Sequence, residues 1–150
     1  MATDNIEAPE ATRCAFCEYL SGLRPYTILG CDRLTATLVT REQRGISHLL
    51  VVPLRHCETI LDLEDNEAAA LMKAVRQAAR AIDAADKRPG IAVWQNNGVP
   101  AHQTIPHVHF HVAGTLPGGD TERGRVRELS VVETDRIATR LRPFLQMRSA

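Results

Sequence analysis

The segment "PHVHFHVAG", residues 106 to 114, places His107, His109 and His111 at every second position, and so holds half of the six histidines in the chain. Val108, Phe110 and Val112 alternate with them. These β-branched and aromatic residues suit a strand, whose successive side chains face opposite ways, so the three imidazoles share one face. At a rise of roughly 3.3 Å per residue, His107 and His111 stand about 13 Å apart at Cα, a poor span for one ion with bonds of about 2 Å. The row therefore points to divided labour, with neighbours sharing a ligand and one end serving a separate task. A half-buried strand with a polar face is the plain alternative, but Ser, Thr or Gln would serve there equally well.

Two other stretches carry residues with chemistry. Cys14 and Cys17 form the pair "CAFC". Four cysteines in a chain without an export signal do not read as a disulfide framework, so this spacing asks for a metal or a redox role. The redox reading lacks the strand-helix context of a thioredoxin motif. The loop "NNGVPAHQTIPH" offers Asn96, Asn97, Gln103 and Thr104 as amide and hydroxyl donors, with Gly98 permitting close backbone approach. Such a loop suits a phosphate. Imidazoles beside it can attack phosphorus, donate to its oxygens or protonate a leaving group.

The elements that must position these residues follow from periodicity and punctuation. Residues 1–12 are polar, contain Pro9 and read as a disordered terminus, 13–116 as the core of one domain, and 117–150 as a C-terminal extension with a short helix. "YTILG" and "RLTATLVT" read as a strand pair around Gly30 to Arg33, and "SHLLVVP", which His48 opens, as a third strand stopped by Pro53. From Asp65 to Asp86 apolar residues recur at helical spacing. "IAVWQN" gives a fourth strand, the histidine segment a fifth, and Glu133 to Leu141 a last helix. This order predicts an α+β fold: a mainly antiparallel five-stranded sheet packed with a long helix and a C-terminal helix. Cys31, Cys57 and Trp94 read as core.

Acidic and basic residues balance at 18 each, which excludes the footprint of a general nucleic-acid binder. Among the basic residues only Lys73 and Lys87 are lysines. The arginine-rich "ERGRVRE" lacks interleaved aromatics and reads as a solvated surface. No apolar run approaches the roughly 20 residues of a membrane span, so no membrane partner and a cytoplasmic location are expected.

Taken together, "HVHFHVA", "SHLLVVPLRH" and "QNNG...QTIPHVHFH" resemble the histidine triad family over residues 14 to 115. The resemblance implies a homodimer and a small-molecule nucleotide substrate, hydrolysed or transferred at the α-phosphate through a nucleotidyl-histidine intermediate on His109. It implies that His111 and His48 flank that phosphate, that Gln103, Thr104 and Asn96 contact its oxygens, and that no catalytic metal is required. In a branch of the family, and in the related galactose-1-phosphate uridylyltransferases, a structural zinc is held at positions matching Cys14, Cys17, His56 and His107. A filled Cys2His2 set is structural zinc chemistry.

Two departures bear on substrate choice. The family's ribose-binding Asp or Asn is matched by Thr40, and a loop glycine by His102; Ser47 precedes His48. The expected activity is release of a nucleoside monophosphate from a phosphoramidate or a dinucleoside polyphosphate. A nucleotide-binding module that retains the triad without turnover is the second reading. A hydrolase using the histidine row as a catalytic zinc site is the third, and the span of the row argues against it.

Overall fold

The computed structural model describes residues 5–146. Its elements run α1 (Ala15–Ser21), β1 (Ile28–Cys31), β2 (Thr35–Val39), β3 (Ile46–Pro53), α2 (Asp65–Asp86), β4 (Ile91–Gln95), β5 (Phe110–Gly114) and α3 (Val131–Leu141). The strands form one antiparallel sheet in the order β1-β2-β3-β5-β4. This is the α+β architecture that the periodicity predicts.

Strand alternation divides the sheet into two faces. Leu49 and Val51 of β3, Val39 of β2 and Val112 of β5 pack against Leu71, Val75, Ala78 and Ile82 of α2 and Ala138 and Leu141 of α3. Helix α2 forms because its apolar residues fall on one side and its start is boxed, with the Glu64 N–H donating to Glu67 Oε1 at 2.9 Å. It stops where Lys87 turns left-handed at φ 50°, two residues before Pro89. The opposite face carries a smaller core of Ala36, Leu38, Leu50 and Val52, capped by Phe16 of α1.

Several expectations need correction. Helix α1 has no counterpart in the periodicity; its ends are set by Cys14, whose Sγ accepts from the Cys17 N–H, and by Gly22 at φ 83°. Residues 5–12, read as disordered, include a segment against the loop after β4, where Val99 N–H donates to Glu7 O at 2.7 Å. Residues 1–4 lie outside the described residues. The fifth strand begins only at Phe110. Val108 N–H donates to Cys57 O at 2.7 Å rather than joining a ladder, so residues 107–109 precede the paired strand. Cys57 is core as expected, but Cys31 and Trp94 are only partly buried, Trp94 because β4 is an edge strand. Among the described residues no helix is long and apolar enough to cross a membrane.

Candidate active site and metal cluster

The three imidazoles fall into two neighbourhoods. His107 turns toward α1 and the end of β3, and is fully buried. His109 and His111 face a cleft of about 260 Å³ that is also lined by Phe16, Tyr19, Leu50, His48 and Thr104. The register explains the meeting of His48 and His111: Leu50 of β3 pairs with His111 of β5, and His48 lies two residues back on the same face.

Hydrogen-bond partners assign the proton on each ring. His109 Nδ1 lies 2.8 Å from the carbonyl oxygen of His107, which can only accept. The proton is therefore on Nδ1, and Nε2 carries a free lone pair. His48 Nδ1 accepts from the backbone N–H of Arg44 at 3.1 Å. Its proton is on Nε2, which donates to His111 Nδ1 at 2.9 Å. His111 is left with an Nε2–H. A lone pair on His109 and an N–H on His111 thus stand on neighbouring rings, their centroids 5.1 Å apart.

The same burial keeps these rings uncharged. Desolvation lowers His109, and with help from Arg44 it pushes His48 down to about 3. Desolvation and the neighbouring imidazoles push His111 down to about 2. The unfolded chain, with imidazoles near 6.5, binds more protons than the folded chain between about pH 6.5 and 3. The stabilisation is complete above 6.5 and is lost as pH falls. Unfolding free energy from urea titration should drop between pH 7 and 5 by on the order of 2–4 kcal/mol from His48 and His111. A His48→Gln, His111→Gln double variant should show a shallower dependence, and equal slopes would disprove the assignment.

Two of the expected phosphate ligands are placed elsewhere. Gln103 is buried and committed at both ends: Oε1 accepts from Gly98 N–H at 2.6 Å, and Nε2 donates to Glu58 O and Ile105 O. It braces the loop instead of reaching into the cleft. Asn96 does not line the cleft either, whereas Thr104 does. Thr40 also borders the cleft, but its hydroxyl accepts from Glu42 N–H at 3.1 Å. His102 sits exposed at φ 70°, a left-handed conformation that favours the glycine it was expected to replace.

On the other side of Phe16, Cys14, Cys17, His56 and His107 converge, each offering a ligand atom within 4.8 Å of all the others. His107 Nε2 donates to Pro53 O at 2.9 Å, so its Nδ1 lone pair is free to face the thiols. Cys14 Sγ lies 3.3 Å and Cys17 Sγ 3.6 Å from that nitrogen, and Cys17 Sγ 3.4 Å from His56 Nδ1. A tetrahedron with bonds of 2.0–2.3 Å has edges of about 3.3–3.8 Å, which these separations match. Burial and Cys14 push the Cys17 thiol up to about 11. Only a cation would hold it as thiolate at neutral pH. The donor set therefore fits a tetrahedral metal.

Residues 23–117 match the model of the HIT domain family. The chain belongs to the HIT family. It is 31% identical over 111 residues to an adenosine 5′-monophosphoramidase of Schizosaccharomyces pombe, covering 74% of this chain and 78% of that one. Among solved structures, a Hit-like protein of Bartonella henselae superposes with a TM-score of 0.82 at 22% identity, over 91% of this chain and 99% of that one. A Zn-bound histidine triad family protein of Mycobacterium smegmatis gives 0.75 at 24% identity, over 87% and 91%. These structural likenesses show that the HIT fold is shared. Trp94, which reads as core from sequence, is stacked flat on His111, ring centroids 4.6 Å apart and planes within 4°. The signal was present in strand pairing, because Trp94 stands opposite His111 in register.

Proposed function

We propose that this HIT protein hydrolyses a nucleoside phosphoramidate or dinucleoside polyphosphate through a covalent intermediate on His109. The observation that supports this most is the free Nε2 lone pair of His109 standing beside the Nε2–H of His111. The lone pair attacks the α-phosphorus, an Nε2–P bond forms, and the bond to the leaving amine or phosphate breaks as that group takes up a proton. His111 meets the charge that grows on a phosphoryl oxygen, with Thr104 at the rim. Water then displaces His109 and releases the nucleoside monophosphate. The relative from Schizosaccharomyces pombe, an adenosine 5′-monophosphoramidase, favours the phosphoramidate.

Cys14, Cys17, His56 and His107 would hold a zinc ion in this proposal, a reading supported by their convergence and by the existence of a Zn-bound relative. When bound, it supplies a cross-link between the start of α1, the end of β3 and the segment before β5. The phosphoryl step needs no metal of its own. A homodimer belongs to the same reading, supported by the free edge of β4 and its exposed Val93, and so does a cytoplasmic location.

Incubation with an adenosine phosphoramidate, quenched under conditions that preserve phosphorus–nitrogen bonds, tests the mechanism. A nucleotidyl mass increase on the peptide containing His109 is the expected result. Nucleotide binding without any such adduct or turnover would favour a binding module.

A further inference from the structure

We propose that Trp94 is a positioning residue of the reaction, its indole fixing the plane of His111 so that the Nε2–H points at the phosphoryl group beside His109. This rests on the phosphoryl-transfer reading above. Antiparallel pairing sets Trp94 directly opposite His111, and the two rings lie parallel with centroids 4.6 Å apart. The indole also reaches His48 at 5.2 Å, so it touches both members of the imidazole pair.

A core role accounts poorly for this tryptophan. Trp94 belongs to neither apolar cluster, sits on an edge strand and remains partly exposed. Its ring contacts are two imidazoles. His111, in turn, needs a second restraint. Its bond from His48 fixes one ring atom, Nδ1, and still allows the ring to tilt about that atom. A flat aromatic surface removes that tilt. His109 also neighbours this ring, inclined to it at 64° with centroids 5.1 Å apart. The imidazole thus neighbours both a plane that aligns it and the nucleophile that it assists.

The full chain carrying Trp94→Leu should lose kcat by about 10- to 100-fold, with KM changed by no more than about threefold, because misaimed donors weaken the transition state more than binding. Trp94→Phe restores a flat ring and should recover kcat to within about fivefold of the parent. Trp94→Met, unbranched and also not planar, gives the same comparison if the Leu variant folds poorly. Two-bond ¹⁵N–¹H imidazole spectra read the positioning directly. His111 should show one tautomer, protonated at Nε2, in the parent and in Trp94→Phe, and exchange-averaged nitrogen shifts in Trp94→Leu. Unchanged kcat and an unchanged His111 spectrum in Trp94→Leu would overturn the proposal. So would equal losses in Leu and Phe variants that both keep the parent spectrum. If the parent chain turns over no phosphoramidate, the phosphoryl-transfer reading fails, and the spectra alone decide whether Trp94 holds the ring.

Discussion

His109→Ala should lower turnover of a nucleoside phosphoramidate by on the order of 10⁴-fold or more, with substrate binding largely retained. The side chain supplies the only nitrogen in the cleft whose lone pair is left free by its hydrogen bonds among the three imidazoles there: His48 accepts from Arg44, and His111 accepts from His48. No neighbouring imidazole can take over the attack without reversing a hydrogen-bonded chain. His111→Ala keeps the nucleophile and removes a donor, so its loss should be smaller, about 10²- to 10³-fold. Steady-state kinetics on folded variants, checked by circular dichroism, compares the two. Residual activity of His109→Ala within tenfold of the parent would refute covalent catalysis. Activity that survives this substitution and disappears on chelation would instead identify a metal-dependent hydrolase.

Cys14→Ser should take the zinc content of protein purified without chelator from close to one ion per chain to near zero, and lower stability by several kcal/mol. Serine is itself a favoured N-cap, so the start of α1 keeps an acceptor for the Cys17 N–H that Cys14 now receives. The stability lost therefore reports the ligand and not the cap. His107→Ala should have the same effect on zinc and on stability, and it also removes the bond to Pro53. Metal analysis and thermal unfolding of the three proteins provide the check. A serine variant with its full metal content would disprove the four-ligand assignment, and purely kinetic losses in His107→Ala equal to those of His109→Ala would disprove the division of labour along the histidine segment.

How far the sequence reaches depends on the range of the interaction involved. The boundaries of α2 coincide with the expected Asp65 to Asp86, because a helix of this length shows its period and carries its own stop. Helix α1 spans only Ala15–Ser21, two turns, too short for a period to show, although Gly22 was a readable stop signal. The histidine segment alternates throughout, yet β5 starts at Phe110, because Val108 finds its partner in Cys57, a residue 51 positions away in the chain. Gln103 has the chemistry to bind phosphate but is consumed by Gly98, Glu58 and Ile105, a competition that residue type cannot reveal. Trp94 reads as core from its apolar strand, and only pairing across the sheet sets it against His111. The Cys14, Cys17, His56 and His107 set needed a pattern of separate stretches, and the fold brings the four together.

Three of the four fixed tautomers are tied to the main chain: His48 to the N–H of residue 44, His107 to the carbonyl of residue 53, and His109 to the carbonyl of residue 107. Main-chain atoms are present whatever side chain a codon specifies, and only proline lacks the N–H. The proton positions on His48, His107 and His109 are therefore insulated from side-chain changes at the residues that supply these partners. Position 44 can drift from arginine to any other residue but one, and the lone pair that His107 turns to the thiols survives any drift at position 53. Substitutions at the rim can then alter which substrate is admitted while the attacking and donating atoms keep their roles, which leaves specificity free to diverge over a mechanism that does not.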